Sequence, residues 1–97
     1  MRRCEDVIEV RHEGRPLQFI WRGRLYDVRA VVDHWRERRP WWREVPDTRS
    51  ITPADLEEEV WRVEAVRAGR SRMSFAGVYD LTWDSAANRW WLVRVHD

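Results

Sequence analysis

The chain has 97 residues, 36% of them charged, yet its formal net charge is only +1. This length predicts one small domain over residues 1–97, and the near-neutral charge argues against a protein that coats polyanions non-specifically. With one cysteine, Cys4, the chain can form neither an internal disulfide nor a cysteine-based zinc site.

The N-terminal sequence MRRCEDVIEV is charged within six residues and lacks the apolar region of a signal peptide. No apolar run approaches the roughly 20 residues that a transmembrane helix needs. A free thiol is typical of a reducing compartment. The sequence therefore predicts a cytoplasmic protein with no membrane partner.

Short runs in which apolar and polar residues alternate, the period of a half-buried strand, begin near the N-terminus. The first is DVIEVRHE at 6–13, and the second is LQFIW at 17–21, with Phe19 and Trp21 on one face together with Leu17. Between the second and third runs, Gly23 predicts a tight turn, because glycine accepts positive φ at little cost.

The third run, LYDVRAVVDHW at 25–35, has two interpretations. Its β-branched and aromatic content favours a strand, bent near Val31 and Val32. The spacing of Val28, Val31 or Val32, and Trp35 also fits a helix.

The polar middle of the chain ends in TPADLEEE, which has the signature of a helix start: Thr52 as cap and Pro53 in the first turn. We expect at most one short helix near residues 52–59. The three glutamates at 57–59 are most simply a solvated face.

Three more alternating runs follow at 60–66, 75–83 and 89–97. The pattern places the following residues on one face of each run: Trp61, Val63 and Ala65; Phe75, Gly77, Tyr79, Leu81 and Trp83; Trp91, Val93 and Val95. The fold class is therefore mainly β, a single antiparallel meander of about six strands that forms a barrel or a sandwich.

No catalytic or metal-binding motif is present. The histidines His12, His34 and His96 share no metal-binding spacing with one another or with Cys4. No serine has a nucleophile-elbow context, and no glycine-rich phosphate loop is found. We expect no cofactor and no enzymatic activity; an enzyme would need a pocket that brings His34 or His96 to a carboxylate.

Tryptophan and arginine are the outstanding features of the composition. The chain has eight tryptophans, and all 18 of its basic residues are arginine. Tryptophan either fills a core or stacks on unpaired bases. Because neighbouring strand residues point to opposite faces, one ring of each adjacent pair, Trp41–Trp42 and Trp90–Trp91, should be exposed or cover a second small core. The predicted binding surface combines Arg36, Arg38, Arg39, Trp41, Trp42 and Arg43.

Several motifs together resemble an uncharacterised tryptophan-rich domain family of actinobacteria. They are WRGR at 21–24, the Trp41–Trp42 pair, WRVE at 61–64, GVYD at 77–80 and the closing WWLVRVHD. Similar segments occur at the C-termini of Y-family-like lesion-bypass polymerase homologues. The resemblance implies a non-enzymatic module beside DNA repair or lesion-bypass machinery, without naming a chemistry.

Two hypotheses follow from these observations. The first is a module that weakly holds single-stranded or distorted DNA through the Arg/Trp surface. The alternative is an adaptor for a polymerase or clamp complex, with the same surface or an open β edge contacting a protein partner.

Overall fold

Six antiparallel strands form a closed barrel in the computed structural model, which describes residues 1–38, 57–69, 76–85 and 87–96. Neighbouring strands pair in chain order, and β1 closes the ring against β6. The strands are β1 Arg2–His12, β2 Pro16–Trp21, β3 Arg24–Arg38, β4 Glu57–Arg67, β5 Gly77–Asp84 and β6 Arg89–His96. The mainly β prediction is confirmed, in its barrel form.

The possible helix near residues 52–59 is replaced by strand where the chain is described. β4 begins at Glu57, and residues 52–56 lie outside the described residues. The three glutamates are not a solvated face either, because Glu58 is buried. Strand alternation turns Glu58 away from the side of the sheet that carries Glu57 and Glu59.

The predicted tight turn joins β2 to β3. Trp21 pairs with Arg24, which leaves Arg22 and Gly23 as a two-residue loop. Both have positive φ, 53° and 75° respectively. This is the type I′ geometry, whose backbone twist matches that of the flanking strands.

The barrel interior is filled by one apolar cluster to which every strand except β3 contributes fully buried or nearly buried residues. Phe19 is 1% exposed and stacks on Tyr26 with ring centroids 4.9 Å apart. Burial of a side chain of this size contributes roughly 1.5–3 kcal/mol. The buried members of the cluster are Ile8, Phe19, Trp21, Val63, Ala65, Leu81, Trp90, Leu92 and Val95.

Bulges in β3 confirm the bend predicted near Val31 and Val32. The pairing with β4 shifts register between Val28 and Ala30 and again between Val31 and Asp33. Each shift moves the inward face by one residue. Val28 and Val31 therefore pack against the core, whereas Val32 is 55% exposed.

A bulge in β6 overturns the predicted inner face before the bulge, whereas Val95 lies in the core as predicted. Asp80 pairs with Arg94 but Leu81 pairs with Leu92, so Val93 is an extra residue. Trp90 and Leu92 consequently point inward before the bulge, and Val95 points inward after it. Trp91, predicted to be core, is only half-buried. The bulge inverts the alternation of inward and outward residues, so the period of two in the sequence does not hold across it.

A second layer of buried groups lies on the outer face of the sheet. Val60 and Thr82 are directly opposite each other on β4 and β5, and both are fully buried. On β6, Trp91 is the neighbour of Thr82 in the same row. Trp91 is thus the ring of its pair that belongs to a second small core, while Trp90 enters the barrel.

Beside this layer lies a group of charged side chains that we call the outer ion cluster: Asp80, Arg62, Arg94, His96 and Glu37. The Asp80 carboxylate is fully buried and accepts hydrogen bonds from Arg62 at 2.8 and 3.1 Å. His96 Nε2 lies 3.1 Å from it and Arg94 Nε 2.9 Å. Arg94 also pairs with Glu37. A buried carboxylate is tolerated here because it is paired on several sides.

The pKa of Asp80 reflects two opposing effects, burial of the carboxyl group and its pairing with cationic side chains. Burial alone raises the pKa of a carboxyl group, but the hydrogen bonds and charges of Arg62 and His96 outweigh it and hold the pKa of Asp80 below its ordinary value. The same hydrogen bond raises the pKa of Arg62. Asp80 is therefore ionised in the folded protein, and its ionised state contributes to folding.

The first prediction separates the adjacent tryptophans of β6. Trp90→Ala removes a core ring and should lower the free energy of unfolding by roughly 3–5 kcal/mol. Trp91→Ala should cost clearly less, because Trp91 is half-buried. Urea denaturation of both variants measures the difference. Equal losses would contradict the assignment of Trp90 alone to the barrel core.

The second prediction concerns Asp80→Asn. Loss of the buried charge should lower the free energy of unfolding by roughly 3 kcal/mol near pH 7, the low end of the range for broken buried pairs, because Arg62 and Arg94 retain some solvent contact. Because the folded pKa is depressed, the stabilisation is complete above the unfolded pKa of about 3.9. It is lost as pH falls through the folded pKa.

Urea denaturation of the wild type and Asp80→Asn from pH 7 down to pH 2 checks this prediction. The gap between the two stabilities should begin to narrow below about pH 4 and should close once the pH is below the folded pKa of Asp80. Glu9→Gln is the matched control, because Glu9 is exposed on β1 and belongs to no ion pair of the outer ion cluster. A constant gap between wild type and Asp80→Asn at all pH values would contradict the role given to the ionised carboxylate.

Candidate functional site

One end of the barrel opens into a cavity lined by aromatic rings, which we call the aromatic mouth. Its volume is about 270 Å³, close to the lower end of small-molecule sites at roughly 300 Å³. The size suits one ring system. The lining residues are His12, Gly14, Arg15, Glu59, Trp61, Trp83 and Trp90.

Strand pairing explains how the rings meet at this opening. Glu59 of β4 is directly opposite Trp83 of β5, which is directly opposite Trp90 of β6. The two indole centroids are 5.4 Å apart, and His12 lies 5.5 Å from Trp90 on the other side. Residues directly opposite on antiparallel strands share a face, so this row follows from register alone.

Trp61 completes the mouth and is held by His34. The two residues are directly opposite on β4 and β3, and their rings stack with centroids 3.6 Å apart. His34 Nε2 also lies 2.6 Å from Glu59 Oε1. An ionised carboxylate only accepts hydrogen bonds, so Nε2 carries the hydrogen. His34 thereby positions both an indole and a carboxylate of the mouth.

Trp90 contributes packing rather than hydrogen bonding. Its Nε1 is buried and finds no acceptor within the described part of the chain. A buried donor without a partner costs about 1–3 kcal/mol. The apolar contacts of the ring in the core cluster offset that cost.

Two of the six predicted binding residues fall on described strand. Arg36 and Arg38 are exposed near the end of β3, directly opposite Glu59 and Glu57. Arg36 thus extends the row of Glu59, Trp83 and Trp90. The other four predicted residues lie outside the described residues: Arg39, Trp41, Trp42 and Arg43.

Arg38 reaches a different environment from Arg36. It borders a second cavity of about 450 Å³ together with Arg3, Glu37 and Arg94, on the side of the outer ion cluster. Neither Arg36 nor Arg38 is among the described residues that line the aromatic mouth, where the arginine is Arg15. Arg36 lies in the adjacent row, directly opposite Glu59.

Two histidines contact carboxylates of other strands. The alternation within one strand cannot predict such contacts between strands. His34 contacts Glu59, and His96 contacts Asp80. Asp80 is buried under the outer ion cluster, away from the lining of the mouth. Glu59 borders a cavity, but no serine or cysteine of the described residues lines it. Nor do those residues contain a group of three potential metal ligands.

Sequence reasoning missed Glu59 and treated Trp61 and Trp83 only as core. Both rings are partly buried and packed against the core while lining the mouth. The available signal was the spacing of Glu59 and Trp61, two residues apart on one strand and therefore on one face. This spacing does not reveal which residue of the neighbouring strand pairs with each of them.

The whole chain, residues 1–97, matches a family described as a domain of unknown function. The chain belongs to the DUF6504 family. Neither the search of curated proteins nor the search of solved structures finds a match to this DUF6504 chain. In its described residues, no helix is long and apolar enough to cross a membrane.

Proposed function

We propose that this protein is a non-enzymatic module that weakly binds single-stranded or distorted DNA, with an unpaired base in the aromatic mouth. The observation that carries the proposal is the row in which Arg36 and Glu59 continue into Trp83 and Trp90 at the opening of the barrel. The row aligns an arginine, a carboxylate and two indoles along one face of the sheet. Arginine together with aromatic rings is the combination used by single-strand binding surfaces.

The chemistry supports a flipped or unpaired base rather than a paired one. Stacking on an aromatic ring contributes about 1–3 kcal/mol per base and needs an accessible base face. Trp61 and Trp83 are partly buried, so a face or edge of each meets the cavity. Arg15 at the mouth and Arg36 in the row are exposed and free of ion pairs among the described residues. They are the groups that we assign to the phosphates.

The resemblance to C-terminal segments of Y-family-like lesion-bypass polymerase homologues supports the setting of the proposal. Lesion bypass exposes unpaired and distorted template bases, which are the bases that a stacking pocket takes at least cost. A weak binder suits such a complex, since the polymerase holds most of the DNA.

The alternative is an adaptor that contacts a protein of a polymerase or clamp complex. Two observations favour it. Glu57 and Glu59 face Arg38 and Arg36 across the β3–β4 pair, so the net charge there is small. Within the described strands, β2 pairs only with residues 24–27 of β3, which leaves the edge of β3 beyond Asp27 without a partner on that side. An extended peptide adds to such an edge.

The third prediction tests DNA binding by its salt dependence. Fluorescence anisotropy of a labelled five-nucleotide single strand should show affinity that falls with salt, by about 0.7 in log K per log [salt] for each neutralised phosphate. Arg15→Ala with Arg36→Ala should flatten the slope by roughly 1.4. Trp83→Ala should weaken binding and leave the slope unchanged, because stacking releases no counterions.

Arg24→Ala with Arg29→Ala is the matched control, since both arginines are exposed on β3 and neither lines the aromatic mouth. It should leave affinity and slope close to the wild-type values. Urea denaturation confirms that each variant is folded under the assay conditions. If no single strand, duplex or gapped substrate binds at ~50 mM salt, DNA binding is wrong and the adaptor becomes the leading hypothesis.

A further inference from the structure

We propose that the aromatic mouth selects guanine among the bases of a single strand, with the Glu59 carboxylate recognising its Watson–Crick edge. This inference rests on the proposed function, because it assigns a base preference to the same site. The base preference, however, is inferred from the Glu59 carboxylate, whereas DNA binding is inferred from the row of aromatic rings.

Glu59 is held in a defined position at the mouth. Its Oε1 accepts a hydrogen bond from His34 Nε2, and the His34 ring is itself stacked on Trp61. Trp83 lies directly opposite Glu59 on the neighbouring strand. A base stacked on the indoles at this opening therefore has the carboxylate near its edge.

Among the described residues, most of the hydrogen-bonding capacity of Glu59 has no partner. An ionised carboxylate offers about four acceptor positions on two oxygens, and His34 is the one hydrogen-bond donor to it among the described residues. A ligand with two adjacent donors satisfies both oxygens at once. Such paired, charge-assisted hydrogen bonds are roughly twice as strong as neutral ones and impose a planar geometry.

Guanine is the base whose Watson–Crick edge has two adjacent donors, N1–H and the N2 amino group. Adenine and cytosine each present one amino group beside a ring-nitrogen acceptor, and thymine presents one N–H between two carbonyls. In those three, an acceptor of the base faces a carboxylate oxygen and repels it. The carboxylate therefore favours guanine and disfavours the others.

Arg15 distinguishes a base from an organic cation as the occupant. Indole faces with a carboxylate also suit a quaternary ammonium group. Arg15 borders the same opening and repels a cation there, whereas it attracts the phosphates that accompany a base in a strand.

The fourth prediction uses five-nucleotide single strands of thymidine with one central test base: guanine, inosine, adenine, cytosine or thymine. Fluorescence anisotropy should give roughly tenfold tighter binding for guanine than for adenine, cytosine or thymine, the discrimination of a good bidentate pair. Inosine lacks the N2 amino group and should fall between guanine and the rest. This comparison uses the wild-type protein, so it does not depend on any variant folding.

Glu59→Gln should abolish the preference for guanine, because an amide replaces one of the two acceptors with a donor. Its affinity for the all-thymidine strand should rise, because the charged carboxylate that repels the thymine carbonyls is gone. Glu9→Gln is the matched control: Glu9 is an exposed glutamate on β1 outside the mouth, and its variant should keep the preference.

The possible failures are distinguishable. Equal affinity for all five strands overturns guanine selection and leaves DNA binding standing. A preference that survives in Glu59→Gln overturns the role of Glu59. The absence of binding to any strand overturns both the function and the preference. If free dGMP binds as tightly as the guanine strand, the site recognises a nucleotide without a strand, and the proposal that the base belongs to single-stranded DNA is wrong.

Discussion

Closure of the barrel through the bulge at Val93 is the constraint on which the other features depend. β6 must pair with β5 on one side and with β1 on the other, and both pairings shift register at this point. The extra residue inverts the face of β6. Trp90 can therefore enter the aromatic mouth while Arg94, on the same strand, reaches Asp80 on the outside. Without the bulge, either the ring or the guanidinium would lie on the wrong face.

The paired strands β3 and β4 contribute to the outer ion cluster with one face and to the aromatic mouth with the other. From Asp33 to Arg38 the register is regular, so His34 and Arg36 share a face with Glu59 and Trp61. The other face carries Glu37, which pairs with Arg94 in the outer ion cluster. One ribbon thus anchors a buried carboxylate network on one side and shapes an opening on the other.

The mixed charge of the mouth is central to its proposed chemistry. A purely basic opening would hold any nucleic acid through its phosphates, without regard to the base. Glu59 weakens that general attraction and adds an acceptor for a specific one. Low affinity combined with base selection suits a module that acts inside a larger assembly, where other subunits hold the strand.

The sequence by itself predicted six strand runs from their period of two, but it left β3 open between strand and helix and predicted a possible helix over the start of β4. It predicted the β2–β3 turn as well, because Gly23 takes positive φ at little cost whatever its surroundings. It also placed Tyr79 and Leu81 on the inner face of β5, where no bulge interrupts the strand. Only the tertiary structure decided the face of Trp90, the burial of Glu58 and the meeting of His34 with Glu59. These depend on register between strands distant in sequence. In β6, one extra residue, Val93, changes that register, and the local pattern of apolar and polar residues does not reveal it.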